Sequence, residues 1–249
     1  MSHQLVIDRG NSSCKWAFFA ADRLTEPLEV IHTVSGAFLP DGWLEKYQPE
    51  ACIYSSVGAC DPAEEARLKA LVPRFLKYTP DVAIPLRNAY RTPATLGADR
   101  LAAAVGAWTL APGKASLIVD MGTAVTYDLL TPDGTFVGGN IAPGLWLRFL
   151  SLHEHTASLP MVDASDDFPE TGTDTRSAIL AGVMEGVWLE LQGYRAKYEA
   201  LYPALVTFLT GGDLKYFDKR PKSGIFADEN LVLTGLNRIL HENVSKQPY

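Results

Sequence analysis

A chain of 249 residues, 47% of them hydrophobic and 10% aromatic, has the length for one or two domains and the material for buried cores, which excludes disorder as the main state. Its 22 basic and 29 acidic side chains leave a formal charge of −7, which repels a nucleic-acid backbone unless basic residues cluster; the densest group, Lys219, Arg220 and Lys222, reads as a solvated loop. Cys14, Cys52 and Cys60 are odd in number and contain no Cys-x-x-Cys pair, so neither a disulfide framework nor a zinc site is indicated and a reducing compartment fits.

In chain order, the first predicted strand is Leu5-Val6-Ile7-Asp8, reached almost directly from Met1. The long apolar stretch of a signal peptide or membrane span is not found there, and the expectation is a cytoplasmic protein without membrane association. Arg9-Gly10-Asn11-Ser12 turns this strand into a second one at residues 16–19. A buried strand follows at residues 51–55, then a helix at 62–71 with Pro62 near its start and a short strand at 74–78. Gly97-Ala98-Asp99-Arg100 opens an Ala-rich helix over 101–109. Ala111-Pro112-Gly113-Lys114 resembles an interdomain connection, placing one domain at 1–111 and another at 112–249.

The second half begins as the first does. Leu117-Ile118-Val119-Asp120-Met121-Gly122-Thr123-Ala124 repeats the pattern of residues 5–12, an apolar run ending in Asp-x-Gly and a small residue, and a second strand follows at 125–130. Two such copies half a chain apart indicate a duplicated domain. Thr131-Pro132-Asp133-Gly134 is a turn, residues 138–144 read as a glycine-rich loop into a helix at 145–152, and 163–173 as a polar loop. A long helix is expected at 175–202, with Ala178, Ala181, Gly182 and Gly186 marking close packing against another helix. A strand at 205–210 runs into Gly211-Gly212-Asp213, and a helix at 229–240 ends the pattern. Strands alternating with helices give an α/β class.

An Asp-x-Gly hairpin lets backbone N–H groups approach phosphate oxygens, because glycine offers no side chain to obstruct them, and its carboxylate can hold a metal or the metal's waters. Two facing hairpins would clamp a polyphosphate. Ser12 and Lys15 add a hydroxyl and a positive charge to the first, and Thr123 a hydroxyl to the second; the P-loop pattern GxxxxGK[ST] does not occur. Asp99, at a helix start, fits two roles equally: a charge favoured by the helix dipole or a general base accepting a substrate hydroxyl proton. Arg100 could pair with a substrate carboxylate or with a neighbouring acid. Gly211-Gly212 could seat a base or ribose or be an ordinary turn. His153 and His155 have a metal-compatible spacing, but on a helix end a surface or packing role is favoured.

The order Asp8-Arg9-Gly10-Asn11-Ser12-Ser13-Cys14-Lys15, Gly97-Ala98-Asp99-Arg100, Asp120-Met121-Gly122-Thr123-Ala124 and Gly138-Gly139-Asn140-Ile141-Ala142-Pro143-Gly144 resembles type III pantothenate kinases, over residues 4 to about 240. The resemblance implies a fold of two duplicated actin-like (ribonuclease H-like) domains with an active-site cleft between them, a homodimer, and transfer of the ATP γ-phosphoryl group to the 4'-hydroxyl of pantothenate, the first step of coenzyme A biosynthesis. It implies that residues 8–15 and Thr123 bind ATP, with Asp8 near the Mg2+ through water. Asp99 becomes the catalytic base, and Asp120 a ligand of a monovalent cation, K+ or NH4+. Tyr90, Gly97, Ala98, Asp99 and Arg100 line the pantothenate pocket, which Thr175 reaches from the partner subunit. Ser12 replaces the family's usual Thr, Asp174-Thr175 its common Asn-Thr pair, and Arg9 is a charge where an apolar residue is usual. A non-catalytic regulatory protein on the same fold and a kinase of another small alcohol are the competing readings; intact Asp8, Asp99 and Asp120 speak against the first, and the Gly97–Arg100 and Thr175 matches against the second.

Overall fold

A computed structural model describes residues 2–10, 13–34, 37–56, 62–217, 219–220 and 223–244. The chain forms two compact units, Met1–Pro112 with Gly134–Phe136 and Asn230–Tyr249, and Gly113–Asp133 with Val137–Glu229. Among the described residues no helix is long and apolar enough to cross a membrane.

The first unit is built on β1 (His3–Arg9) and β2 (Ser13–Ala20), an antiparallel hairpin with Asp8 opposite Lys15 and Arg9 opposite Cys14. β3 (Glu29–Val34) extends it antiparallel beside β2, and α1 (Trp43–Tyr47) follows. β4 (Ala51–Ser56) lies parallel to β1; after α2 (Pro62–Leu71), β5 (Arg74–Lys77) lies parallel to β4, giving the order β3-β2-β1-β4-β5. Both faces of the central strands are covered, which is why they read as nearly continuous apolar runs. Leu5, Ile7, Trp16, Phe18, Cys52 and Tyr54 pack with Leu68 of α2. The alternate residues Val6, Ala17, Phe19 and Ile53 are equally buried, and the helices α3 (Ala98–Leu110) and α6 (Leu231–Val244) pack against β4 and, for α6, β1. A side chain at Gly235 would collide with the Ala102 carbonyl oxygen, so glycine here permits close approach of α3 and α6. The short strand β6 (Arg87–Asn88) pairs with Thr135 and Phe136.

The second unit repeats the arrangement. β7 (Ser116–Met121) and β8 (Ala124–Leu130) form an antiparallel hairpin, β10 (Val206–Thr210) lies parallel to β7, and β11 (Ile225–Ala227) parallel to β10. With β9 (Thr135–Pro143) beside β8, the order β9-β8-β7-β10-β11 matches that of the first sheet strand for strand, which bears out an α/β chain built by duplication. The helices α4 (Leu145–Glu154) and α5 (Thr175–Glu199) complete it, with Val183, Met184, Val187 and Leu191 of α5 packed on Leu117, Val119 and Tyr127.

Residues 138–144, expected to be a loop, continue β9 as far as Pro143. Gly138 takes a φ of +111°, which favours glycine, whereas Gly139 serves close approach: a side chain there would collide with the Tyr127 carbonyl oxygen and the Asp128 carboxylate. The long helix ends at Glu199 rather than 202, and its start is a capping box. Asp174 accepts from Ser177 N–H at 3.0 Å, while Ser177 Oγ accepts from Asp174 N–H at 3.0 Å. Asp and Asn side chains both cap well, so Asp174 can fill the capping place of the Asn that the resemblance would put there. The backbone bond from Ser177 also holds the Asp174 carboxyl below its ordinary value.

Candidate functional site

In the first unit the chemistry gathers where parallel strands end, the edge at which open α/β sheets characteristically form ligand crevices. Gly10 N–H donates to Ser13 O at 2.9 Å and closes the first hairpin; Asn11 and Ser12 lie outside the described residues. Asp8 Oδ1 is buried without a hydrogen-bond partner. Burial, and next the negative charge of Asp99, push the Asp8 carboxyl up to about 6, against the opposing pull of Lys15. Asp99 and Lys15 thus both lie within electrostatic reach of Asp8. A carboxylate oxygen desolvated without a partner is costly, and a cation or its bound water is the chemistry that would satisfy it.

Two members of the predicted phosphate loop have other occupations. Arg9 sends its guanidinium to the other face of the sheet, where Nη1 lies 2.9 Å from Glu64 Oε2 and Nη2 donates to Glu64 Oε1 at 3.2 Å; Tyr54 Oη donates to the same carboxylate at 2.8 Å. Its side chain is thus a buried brace between β1 and α2 rather than a phosphate ligand, which gives the unusual charge its physical account. Successive strand residues point to opposite faces, so Asp8 on the site side places Arg9 on this one. Cys14, opposite Arg9, is fully buried in the core, and burial pushes its thiol up to about 12. Only its backbone is available to a nucleotide.

Asp99 stands in the first turn of α3, its Oδ1 accepting from Arg100 N–H at 2.8 Å. A side chain on Gly97 would collide with this oxygen. The backbone at Gly97 is ordinary extended geometry (φ −57°, ψ 131°), so space for the carboxylate, not backbone freedom, accounts for the glycine. Arg100 is buried, its guanidinium 5.6 Å from the centre of the Tyr90 ring, within cation–π range. Tyr90 is tied in turn by its N–H to Asn88 Oδ1 at 3.0 Å and packs on Phe136. Beside them opens a cavity of about 330 Å3 lined by Tyr78, Asn88, Thr95, Gly97, Ala98 and Leu101 among others, a size suited to a small ligand. Of these, Tyr78, Asn88, Thr95 and Leu101 were not among the predicted site residues. Tyr78 alone carried a signal, as the last residue of a predicted strand before Pro80.

In the second unit three loops meet at the ends of β7 and β10. Gly122 N–H donates to Ala124 O and Gly144 N–H to Thr123 O, each at 3.0 Å, and Asp213 N–H donates to Met121 O at 3.0 Å. Gly211 has a φ of +97°, in the left-handed region, and a side chain there would collide with Met121 O. Asp120, next to last in β7, lies level with Thr126 and Thr210, and Thr126 Oγ1 is buried without a partner. The Asp213 carboxyl is raised by burial, opposed by Lys215 and by the N–H of Leu145. Among the described residues no group of three His, Cys, Asp or Glu side chains could hold a metal. One carboxylate with neutral oxygens around it is a donor set of low charge, compatible with a monovalent cation. His153 is used locally, its Nδ1 lying 2.9 Å from Leu159 O.

Thr175, the first residue of α5, is exposed and lines an open groove of about 620 Å3 with Arg148, Leu152, Ala178, Gly182 and Val183. The positions where side chains would stand on Gly182, Gly186 and Gly193 are empty, and Leu189 between them is 61% exposed. Of the small residues expected to pack closely, Ala178 and Gly182 are exposed and Ala181 is buried, so that face of the helix is partly open to solvent.

The chain matches the type III pantothenate kinase family over residues 4–197. It is 42% identical over 240 residues to a type III pantothenate kinase of Bacteroides fragilis, covering 96% of this chain and 98% of that one. Among solved structures it is similar to a conserved Baf family protein from Campylobacter jejuni, with TM-score 0.60, 21% identity and coverage of 97% and 99%. It is also similar to the activator of 2-hydroxyisocaproyl-CoA dehydratase from Clostridium difficile with bound ADPNP, with TM-score 0.54, 11% identity and coverage of 98% and 96%. These likenesses bear out the actin-like, ribonuclease H-like fold.

Proposed function

The chain belongs to the type III pantothenate kinase family, and on that premise we propose how its residues divide the work. The reaction is transfer of the γ-phosphoryl group of ATP to pantothenate in coenzyme A biosynthesis, with ATP and a divalent metal. Its transition state is loose and charged, so the protein's part is mainly positioning and charge compensation.

Asp99 is the general base, taking the proton from the 4'-hydroxyl as the phosphoryl group arrives. The observation that carries this role is the carboxylate set over Gly97 beside a ligand-sized cavity, its Oδ1 accepting from the Arg100 amide. Ala98, Tyr90 and Arg100 hold pantothenate with Gly97. Residues 11–15, with the Lys15 ammonium, and the Thr123 hydroxyl hold the ATP phosphates, while the Gly10 N–H stays inside the hairpin. The divalent cation supplies charge neutralisation at the phosphates when bound, and Asp8, with its unpartnered Oδ1, would hold it through water. Asp120, beside the unpartnered Thr126 hydroxyl, is the residue for K+ or NH4+. Full turnover without the Asp99 carboxylate would overturn the central assignment.

The open stripe of α5 supports a homodimer in which Thr175 serves the partner's substrate pocket. Small residues let helices approach closely, and an uncovered apolar stripe on a helix is the feature a symmetric partner would bury. Gly182→Leu is expected to convert the dimer to monomer by light scattering, with loss of turnover. A wild-type monomer with full activity would contradict it.

A further inference from the structure

Tyr78 is a residue of the cavity wall that none of the roles above employs. It prolongs β5 by donating its N–H to Tyr54 O at 2.9 Å, so its backbone is fixed by the sheet. Its ring is 9% exposed and forms part of the cavity wall beside Gly97 and Ala98. Burial, and next the negative charge of Asp99, raise its phenol above its ordinary value, so it stays an O–H donor throughout the working range. The polar groups around it are largely committed. Asn88 Oδ1 accepts from Tyr90 N–H, and Thr95 Oγ1 donates within its own turn to Thr92 O at 3.0 Å.

We propose that the Tyr78 phenol donates a hydrogen bond to an oxygen of the pantoyl half of pantothenate, next to the hydroxyl that Asp99 deprotonates, and so helps to select the substrate. This rests on the placement of pantothenate in the first unit's cavity. A donor held within the electrostatic reach of the base fits a substrate that carries a second oxygen close to the reacting one, and the secondary hydroxyl of the pantoyl group is such an oxygen. A buried donor also discriminates against an alcohol lacking its acceptor, because the O–H would then be left unpaired.

The test is steady-state kinetics of Tyr78→Phe beside Ala98→Leu, which fills the cavity. Tyr78→Phe is expected to raise KM for pantothenate by about 3- to 10-fold, the range for one neutral hydrogen bond, with KM for ATP and thermal midpoint unchanged. An analogue lacking the secondary hydroxyl should show no difference between wild type and Tyr78→Phe. If Ala98→Leu raises KM for pantothenate and Tyr78→Phe does not, the pocket stands and the role of Tyr78 falls; if neither changes it, the placement of pantothenate falls with it. A fall in kcat alone in Tyr78→Phe would mean action through Asp99 and would overturn the substrate contact.

Discussion

Replacing Asp99 by asparagine is expected to lower kcat with ATP and pantothenate by about 10²- to 10⁴-fold, the range over which a positioned general base acts. Asparagine is nearly isosteric, and its carbonyl oxygen can still accept from Arg100 N–H, so the start of α3 and the fit over Gly97 are preserved. What is lost is the capacity to take a proton. Positioning and charge compensation remain and leave residual turnover. The alternative role, a negative charge favoured by the helix dipole, is worth about 0.3–1 kcal/mol of stability and predicts a small fall in thermal midpoint with kcat untouched. Measuring kcat and midpoint on one preparation separates the two.

Asp8→Asn is expected to make the ligand-free protein more stable and the enzyme inactive. The folded Asp8 carboxyl titrates at about 6, against an ordinary 3.8. The folded state therefore holds this proton more tightly than the unfolded chain, and between the two values stability falls as pH rises. Above pH 6 the full cost is present, about 3 kcal/mol for a shift of roughly two units. Below pH 3.8 the carboxyl is protonated in both states and the cost is gone. Denaturant unfolding should show Asp8→Asn more stable than wild type by up to about 3 kcal/mol at pH 7.5, with the advantage shrinking towards pH 4. Magnesium should raise the midpoint of wild type and leave that of the variant unmoved. A variant less stable at pH 7.5 would mean that Asp8 is a structural group rather than a strained functional one, since functional sites are where stability is given up.

Much of this architecture was legible because its signals are local. Each Asp-x-Gly hairpin joins a buried strand to its antiparallel neighbour within a few residues, and the Ala-rich run of α3 and the small-residue pattern of α5 lie within single elements. Asp8 and Asp99 were found as residue types in telling places; their mutual repulsion was not, because it depends on how the tertiary fold brings the start of α3 within reach of β1. The glycines of α3 and α6 gave no sequence clue to each other, since Gly235 meets Ala102 across most of the chain's length. β6 and β11, two and three residues long, carry too little pattern to show periodicity. The use of the Arg9 side chain was hidden for a related reason: alternation along β1 sets its face, but the partners it meets there, Glu64 and Tyr54, are brought in by α2 and β4.

The most direct measurement is ADP release coupled to NADH oxidation, with ATP and magnesium, in potassium or sodium, with pantothenate present or omitted. Turnover that requires pantothenate, rises in potassium over sodium and yields a phosphate monoester on the 4'-hydroxyl is the predicted result. ADP release that ignores pantothenate, or bound ATP without turnover, would contradict it.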